Sequence, residues 1–152
     1  MSNLLETIPR SSFASRYEWY DNIIGGSNLI LRGRSALEYL GYFSGYRNYN
    51  EIEVYALENG RYTNIYYKIV SNFNDIEHTN DERVLCSTFN QAINDIIYTF
   101  PNEDEQVLVE ALSDYYYKNN NSFEGLDIHP VNQTLFETLK IWAIEYYDEA
   151  VV

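Results

Sequence analysis

A single cysteine, Cys86, stands among 152 residues, which excludes an intrachain disulfide. A lone thiol of this kind suits a reducing cytoplasm. No apolar run approaches the roughly 18–20 residues that a membrane helix needs. The opening Met1-Ser2-Asn3-Leu4-Leu5-Glu6 lacks the basic stretch and apolar run of a secretion signal. Histidine is scarce as well, and one Cys with His78 and His129 cannot build a typical zinc site. No Gly-x-x-x-x-Gly-Lys phosphate loop, Gly-x-Gly-x-x-Gly turn or His-Glu-x-x-His pair occurs. A Gly-x-Ser-x-Gly elbow is missing too. Together these absences predict a non-enzymatic protein with no catalytic residue, no cofactor and no bound metal.

Positive charge is also in short supply. Ten Lys and Arg stand against 23 Asp and Glu, for a net charge of -13. Residues 1–70 hold seven side chains of each sign, whereas residues 71–152 hold three basic and sixteen acidic ones. The second half therefore carries the whole excess. Such a surface repels phosphates, so no sequence-specific DNA binding is expected. It keeps the chain soluble, and it also fits an acidic regulator that binds a basic partner or mimics DNA. The N-terminal cations are mostly arginine. Arg32, Arg34 and Arg47 form a candidate interaction surface, because guanidinium groups pair bidentately with the carboxylates or phosphates of an acidic protein or RNA. Sixteen tyrosines fit either a recognition surface or an AT-rich coding sequence.

What is present reads as one globular domain over residues 1–152, large enough to bury a core. A first helix is predicted from about Ser11 to Ile24, with Phe13, Tyr17, Tyr20 and Ile24 inward and Gly25-Gly26 as its stop. A short strand, Leu29-Ile30-Leu31, leads through Gly33 to a second helix, with Ser35 and Glu38 as a capping box. Glu51–Leu57 and Tyr62–Ile69 alternate around Asn59-Gly60, a dipeptide that favours a type I′ hairpin turn. That turn sets Val54 opposite Ile65 and Glu51 opposite Lys68. Thr79 and Glu82 form a second capping box, ahead of an apolar stripe from Leu85 to Phe100 that Pro101 ends. Cys86 falls in the first turns of that helix, as a small core residue. A further helix capped by Asn102 turns Val107, Leu108, Ala111, Leu112 and Tyr115 inward and breaks at Asn119-Asn120-Asn121. The last runs from Asn132 to about Glu149, with Leu135, Phe136, Leu139, Trp142, Ala143 and Tyr146 inward. The class is α+β: a helix-rich single domain around a small antiparallel sheet with a central β-hairpin.

One constellation bears on chemistry. Gly33-Arg34-Ser35 opens a helix, and Glu51-Ile52-Glu53 puts two carboxylates on one strand face. Polymerase-β-like nucleotidyltransferases use a glycine turn for a nucleotide phosphate and two such carboxylates for Mg²⁺. Here Arg34 replaces a small turn residue, Glu stands where that pattern favours Asp, and no third strand carboxylate follows. A charge pair of Glu51 with Lys68, with the Tyr66 ring over Glu53, is the simpler expectation.

The stretch Gly33-Arg34-Ser35-Ala36-Leu37-Glu38-Tyr39-Leu40-Gly41, then the paired strands, then Thr79-Asn80-Asp81-Glu82-Arg83-Val84-Leu85, has a family likeness. In order and spacing, over roughly residues 28–115, it resembles the C-terminal domain of AbiEi-type antitoxins of type IV abortive-infection systems. That resemblance implies an antitoxin-like role in bacterial phage defence, counteracting a nucleotidyltransferase-type toxin that it need not touch. The family places a winged-helix DNA-binding domain ahead of this one. About 30 residues precede the matching region here, too few for a winged helix, so autoregulatory DNA binding is not expected.

Overall fold

The computed structural model describes residues 4–42, 50–80, 82–100 and 105–150. Its elements are α1 (Arg16–Ile24), β1 (Ile30–Leu31), α2 (Gly33–Tyr39), β2 (Ile52–Ala56), β3 (Ile65–Ile69), β4 (Leu85–Cys86), α3 (Phe89–Thr99), α4 (Glu105–Lys118) and α5 (Gln133–Ala150). The class is α+β, with helices in the majority. Among the described residues no helix is long and apolar enough to cross a membrane.

The first helix starts later than its expected cap. Arg10–Ser12 form a separate 3₁₀ turn, and Ser15 caps α1 by accepting from the Glu18 N–H at 3.2 Å. The Glu18 carboxylate reaches back to the Ala14 N–H at 3.2 Å, so the entry is pinned from both sides. This start turns Trp19, Tyr20 and Ile24 into the core and leaves Tyr17 half exposed. The Trp19 indole N–H donates to the Ile8 carbonyl at 2.9 Å, which satisfies its one polar atom. At the other end of this region, α2 closes in a Schellman motif. The Tyr42 N–H bonds the Leu37 carbonyl and the Gly41 N–H bonds the Glu38 carbonyl, with Gly41 at φ +88°.

The sheet is mixed, not antiparallel, in the order β3-β2-β1-β4. β1 runs antiparallel to β2 and parallel to β4. β2 and β3 are parallel, so the expected hairpin does not form. Ile52 stands opposite Ile65, Val54 opposite Tyr67 and Tyr55 opposite Lys68. Alternation could not reveal this, because side chains repeat every two residues in both kinds of pair. The hairpin rested on the agreement of both strand patterns with Asn59-Gly60, and neither of those two residues takes the positive φ that a type I′ turn requires. Gly60 serves a different purpose. Its backbone lies directly on the Tyr67 hydroxyl, where a Cβ would collide. Residues 57–64 thus form a short strap that carries the chain back beside the sheet. Part of the reading holds: Val54 and Ile65 still share the buried face, and Glu53 still stands opposite Tyr66.

The second half begins with a strand rather than a helix. Thr79 forms no capping box; its hydroxyl accepts from the Cys86 N–H at 3.2 Å, and Leu85-Cys86 is β4. Cys86 is a fully buried core residue, as expected, but on a strand. The cap of α3 is Thr88, which accepts from the Gln91 N–H at 3.2 Å. From there the apolar stripe behaves as expected, burying Ala92, Ile93, Ile96 and Ile97. The expected Asn102 cap and Pro101 stop lie outside the described residues. α4 packs on α5 through Val107, Leu108, Ala111 and Leu112 against Phe136, Leu139 and Ala143. Asn120 and Asn121, at φ 55° and 58°, make the left-handed exit from α4.

One polar residue inside that apolar layer holds the loop ahead of α5. Asn94 is 1% exposed and uses both ends of its amide. Its Nδ2 donates to the Asn90 and Asp127 carbonyls at 2.9 and 3.0 Å. Its Oδ1 accepts from the His129 N–H at 2.9 Å and from buried Asn132 Nδ2 at 3.0 Å. Removing the amide leaves several enclosed groups without partners. Asn94→Ala should lower the unfolding free energy by roughly 2–4 kcal/mol in urea titration. A loss under about 1 kcal/mol would show that the network is dispensable.

Candidate functional site

The residues singled out for chemistry meet where β1 turns into α2. Gly33 makes the turn at φ +53°, and a Cβ there would come within 3.3 Å of both Glu53 carboxylate oxygens. Glycine therefore lets β2 sit directly under the start of α2. The Arg34 N–H donates to Glu53 Oε2 at 3.1 Å, and the Arg34 Nε–H does so at 3.4 Å. The expected Ser35–Glu38 capping box is absent, because tertiary partners compete for both side chains. Ser35 Oγ accepts from the Glu53 N–H at 2.9 Å. The Glu38 carboxylate, 2% exposed, accepts from Arg10 Nη1 at 2.9 Å and from the Tyr20 hydroxyl at 2.9 Å. Burial, then the Glu38 charge, pushes the Tyr20 phenol far above its ordinary range.

Glu51 and Glu53 do share a strand face, but they engage different partners. Glu51 lies just before β2 and accepts from the Tyr66 hydroxyl at 2.9 Å. That bond is the main reason the Tyr66 phenol titrates above its usual value. The expected Glu51–Lys68 pair does not form, since the parallel register sets Lys68 beside Tyr55. Among the described residues, no three His, Cys, Asp or Glu side chains are grouped so as to hold a metal.

Arg32 and Arg34 are turned to intrachain partners. The Arg34 side chain is 22% exposed in its pair with Glu53. The Arg32 guanidinium lies 4.9 Å from the centre of the Tyr55 ring, and its enclosed Nε has no hydrogen-bond partner. Burial opposes the charge on Arg32, but Tyr55, Asp95 and Glu53 hold it protonated. Arg47, the third member of the expected surface, lies outside the described residues. His129 opens a 3₁₀ turn, and His78 forms an isolated bridge with Ser87.

A hydrogen-bond chain that the sequence reading missed runs beside this cluster. The Tyr55 hydroxyl donates to Asp95 Oδ2, and Gln91 Nε2 donates to Asp95 Oδ1 at 3.0 Å. Gln91 Oε1 in turn accepts from the Glu77 N–H at 3.1 Å. The chain joins β2, α3 and the loop before β4. Tyr55 has the same strand parity as Glu51 and Glu53, which was the available signal. Asp95 carried a weaker one, as an acid one residue before the buried pair Ile96-Ile97. Desolvation raises the Asp95 carboxyl, against the opposing pull of Tyr55 and Arg32. No family model matches the chain, and no curated protein matches it.

The Tyr55 phenol is pushed up to about 12, first by burial and then by its bond to Asp95. A raised folded value means that the stability it contributes is complete below the ordinary 10.0 and is lost as pH rises through about 12. The native chain should therefore lose on the order of 2 kcal/mol across that window on account of Tyr55. Phenolate absorbance and denaturant midpoints measured together should show Tyr55→Phe losing less over the same range. An identical alkaline loss in the variant would contradict the assignment.

Proposed function

We propose that this chain is a non-enzymatic, antitoxin-like protein of a bacterial phage-defence system that counteracts a nucleotidyltransferase-type toxin. The observation that supports the reading is the engagement of the Glu51 and Glu53 carboxylates. Metal-assisted nucleotidyl transfer needs two carboxylates converging on one divalent cation at about 2.0–2.1 Å. Glu53 instead turns to the backbone and guanidinium of Arg34, and Glu51 turns to Tyr66. A permanent cation thus stands beside Glu53. The resemblance at Gly33–Gly41 and Thr79–Leu85 supplies the biological setting.

A second reading has its own observation. The Gly33-Arg34-Ser35 turn rests directly on the strand that carries Glu53, as a nucleotide-binding scaffold would require. On that reading the chain keeps a nucleotidyltransferase-like framework.

Two assays separate them. Expressed beside a nucleotidyltransferase-type toxin, the chain should restore growth, and Glu51→Gln with Glu53→Gln should not abolish that rescue if the fold survives. Pure protein incubated with labelled nucleoside triphosphates, Mg²⁺ or Mn²⁺ and a tRNA pool should transfer no label. Transfer that vanishes in the double Gln variant would replace the antitoxin reading with the enzymatic one.

A further inference from the structure

Asn59-Gly60 makes no hairpin turn, and a different chemistry is open to that pair. It is the one place in the chain where glycine follows asparagine. Both residues are exposed, and neither belongs to a helix or strand. Among the described residues, no hydrogen bond engages the Asn59 amide or the Gly60 N–H. Glycine has no Cβ to keep its nitrogen away from the preceding side chain. Rotation about the bonds of Asn59 is all that brings the Gly60 nitrogen to the Asn59 Cγ.

Other asparagines are held. Asn64 commits its amide to Thr7 Oγ1 at 2.6 Å, Asn119 to the Glu124 carbonyl at 2.8 Å and Asn94 to the Asp127 carbonyl at 3.0 Å. Each of the three precedes a residue that carries a Cβ. Asn94 also lies inside α3, where the helical bonds fix its dihedrals. Packing explains the glycine at position 60, because the Tyr67 hydroxyl occupies the space that a Cβ would need. The strap is tied down only beyond that point: the Leu5 N–H bonds the Arg61 carbonyl, and the Thr63 N–H bonds the Leu5 carbonyl.

From this we infer that Asn59 is a site of spontaneous deamidation, with water as the only co-reactant. The Gly60 nitrogen gives up its proton to a base and attacks the Asn59 Cγ. The new N–Cγ bond closes a five-membered succinimide. The Cγ–Nδ2 bond breaks, and the amide nitrogen takes up a proton from water and leaves as ammonia. Water then opens the ring. Attack at Cγ restores the main chain and leaves aspartate, whereas attack at the Asn59 backbone carbonyl routes the chain through Cγ and leaves isoaspartate. Either product sets a new carboxylate on the cleft that Glu58, Asn59 and Arg61 line opposite Ile65 and Tyr67 of β3. Isoaspartate also lengthens the main chain of the strap where Gly60 rests on Tyr67. This inference does not depend on the antitoxin reading.

The full chain, aged at mildly alkaline pH, is mapped by peptide mass spectrometry with fragmentation, and isoaspartate is counted by enzymatic methylation. Asn59 should gain the mass difference between an amide and an acid at least about tenfold faster than any other asparagine of the chain. The rate should rise with pH, because the attacking nitrogen must be deprotonated. A capped peptide of residues 57–62 supplies the unfolded rate, and the folded chain should react within about tenfold of it. Asn59→Gln keeps an amide but requires a six-membered ring. That variant should fold as the native chain does, by circular dichroism, and gain no mass at the position over the same period. Unchanged mass at Asn59, a gain spread evenly over the asparagines, or a folded rate further below that of the peptide would overturn the inference. So would an equal gain at position 59 in the Gln variant.

Discussion

Glu53 is the residue through which the N-terminal half is joined. Its carbonyl accepts from the Arg32 N–H at 3.0 Å, which ties β2 to the end of β1. Its own N–H reaches Ser35, and its carboxylate receives the Arg34 N–H, so α2 is held at two further points. All of this occurs at a position only 7% exposed. A buried carboxylate without compensation is strongly unfavourable, and Arg34 supplies that compensation through its guanidinium and its backbone N–H at the start of α2. Glycine suits position 33 because its φ of +53° strains any other residue and a Cβ there would press on the carboxylate at 3.3 Å. The central place of β2 follows as well, since each of its five residues is buried.

Glu38 shows the same principle one turn further along α2. Arg10 and Tyr20 converge on it from the N-terminal segment and from α1. The arginines of the first half are therefore partly structural. The second half handles charge differently. Lys118 pairs with Asp114 and Lys140 with Glu137, each within its own helix, at exposed positions where such pairs contribute little. Asp95, by contrast, is drawn inward by Tyr55 and Gln91.

Many of the aromatic residues belong to packing. Tyr17, Tyr20 and Tyr39 meet edge to face beside Trp19. Phe89 lies between Tyr42 at 4.3 Å and Tyr115 at 4.9 Å, and so links the end of α2 to α3 and α4. Such contacts add modestly to the burial that drives them. Recognition remains open to those tyrosines that stay exposed, of which Tyr66 lies at a sheet edge.

The amino-acid sequence by itself determined the α+β class, the apolar faces of α3 and α4, that of α5 except for Trp142, which the structure leaves exposed, and the glycine turn into α2. It also determined that Glu51, Glu53 and Tyr55 share one side of β2. Each of these follows from a repeat of 3.6 or 2 residues, or from a residue that alone tolerates its backbone angles, and such properties are local. The direction of β3 was not legible, because parallel and antiparallel strands show the same alternation and Asn59-Gly60 yielded to packing on Tyr67. Caps were misplaced for a related reason. Ser35, Glu38 and Thr79 can satisfy a helix end or a distant strand equally well, and only the approach of Glu53, Tyr20 and Cys86 decides which. The partners of Arg32, Arg34 and Asp95 were likewise beyond reach, because ion pairing and desolvation depend on distances between segments that are far apart along the chain, and those distances exist only once the core has closed.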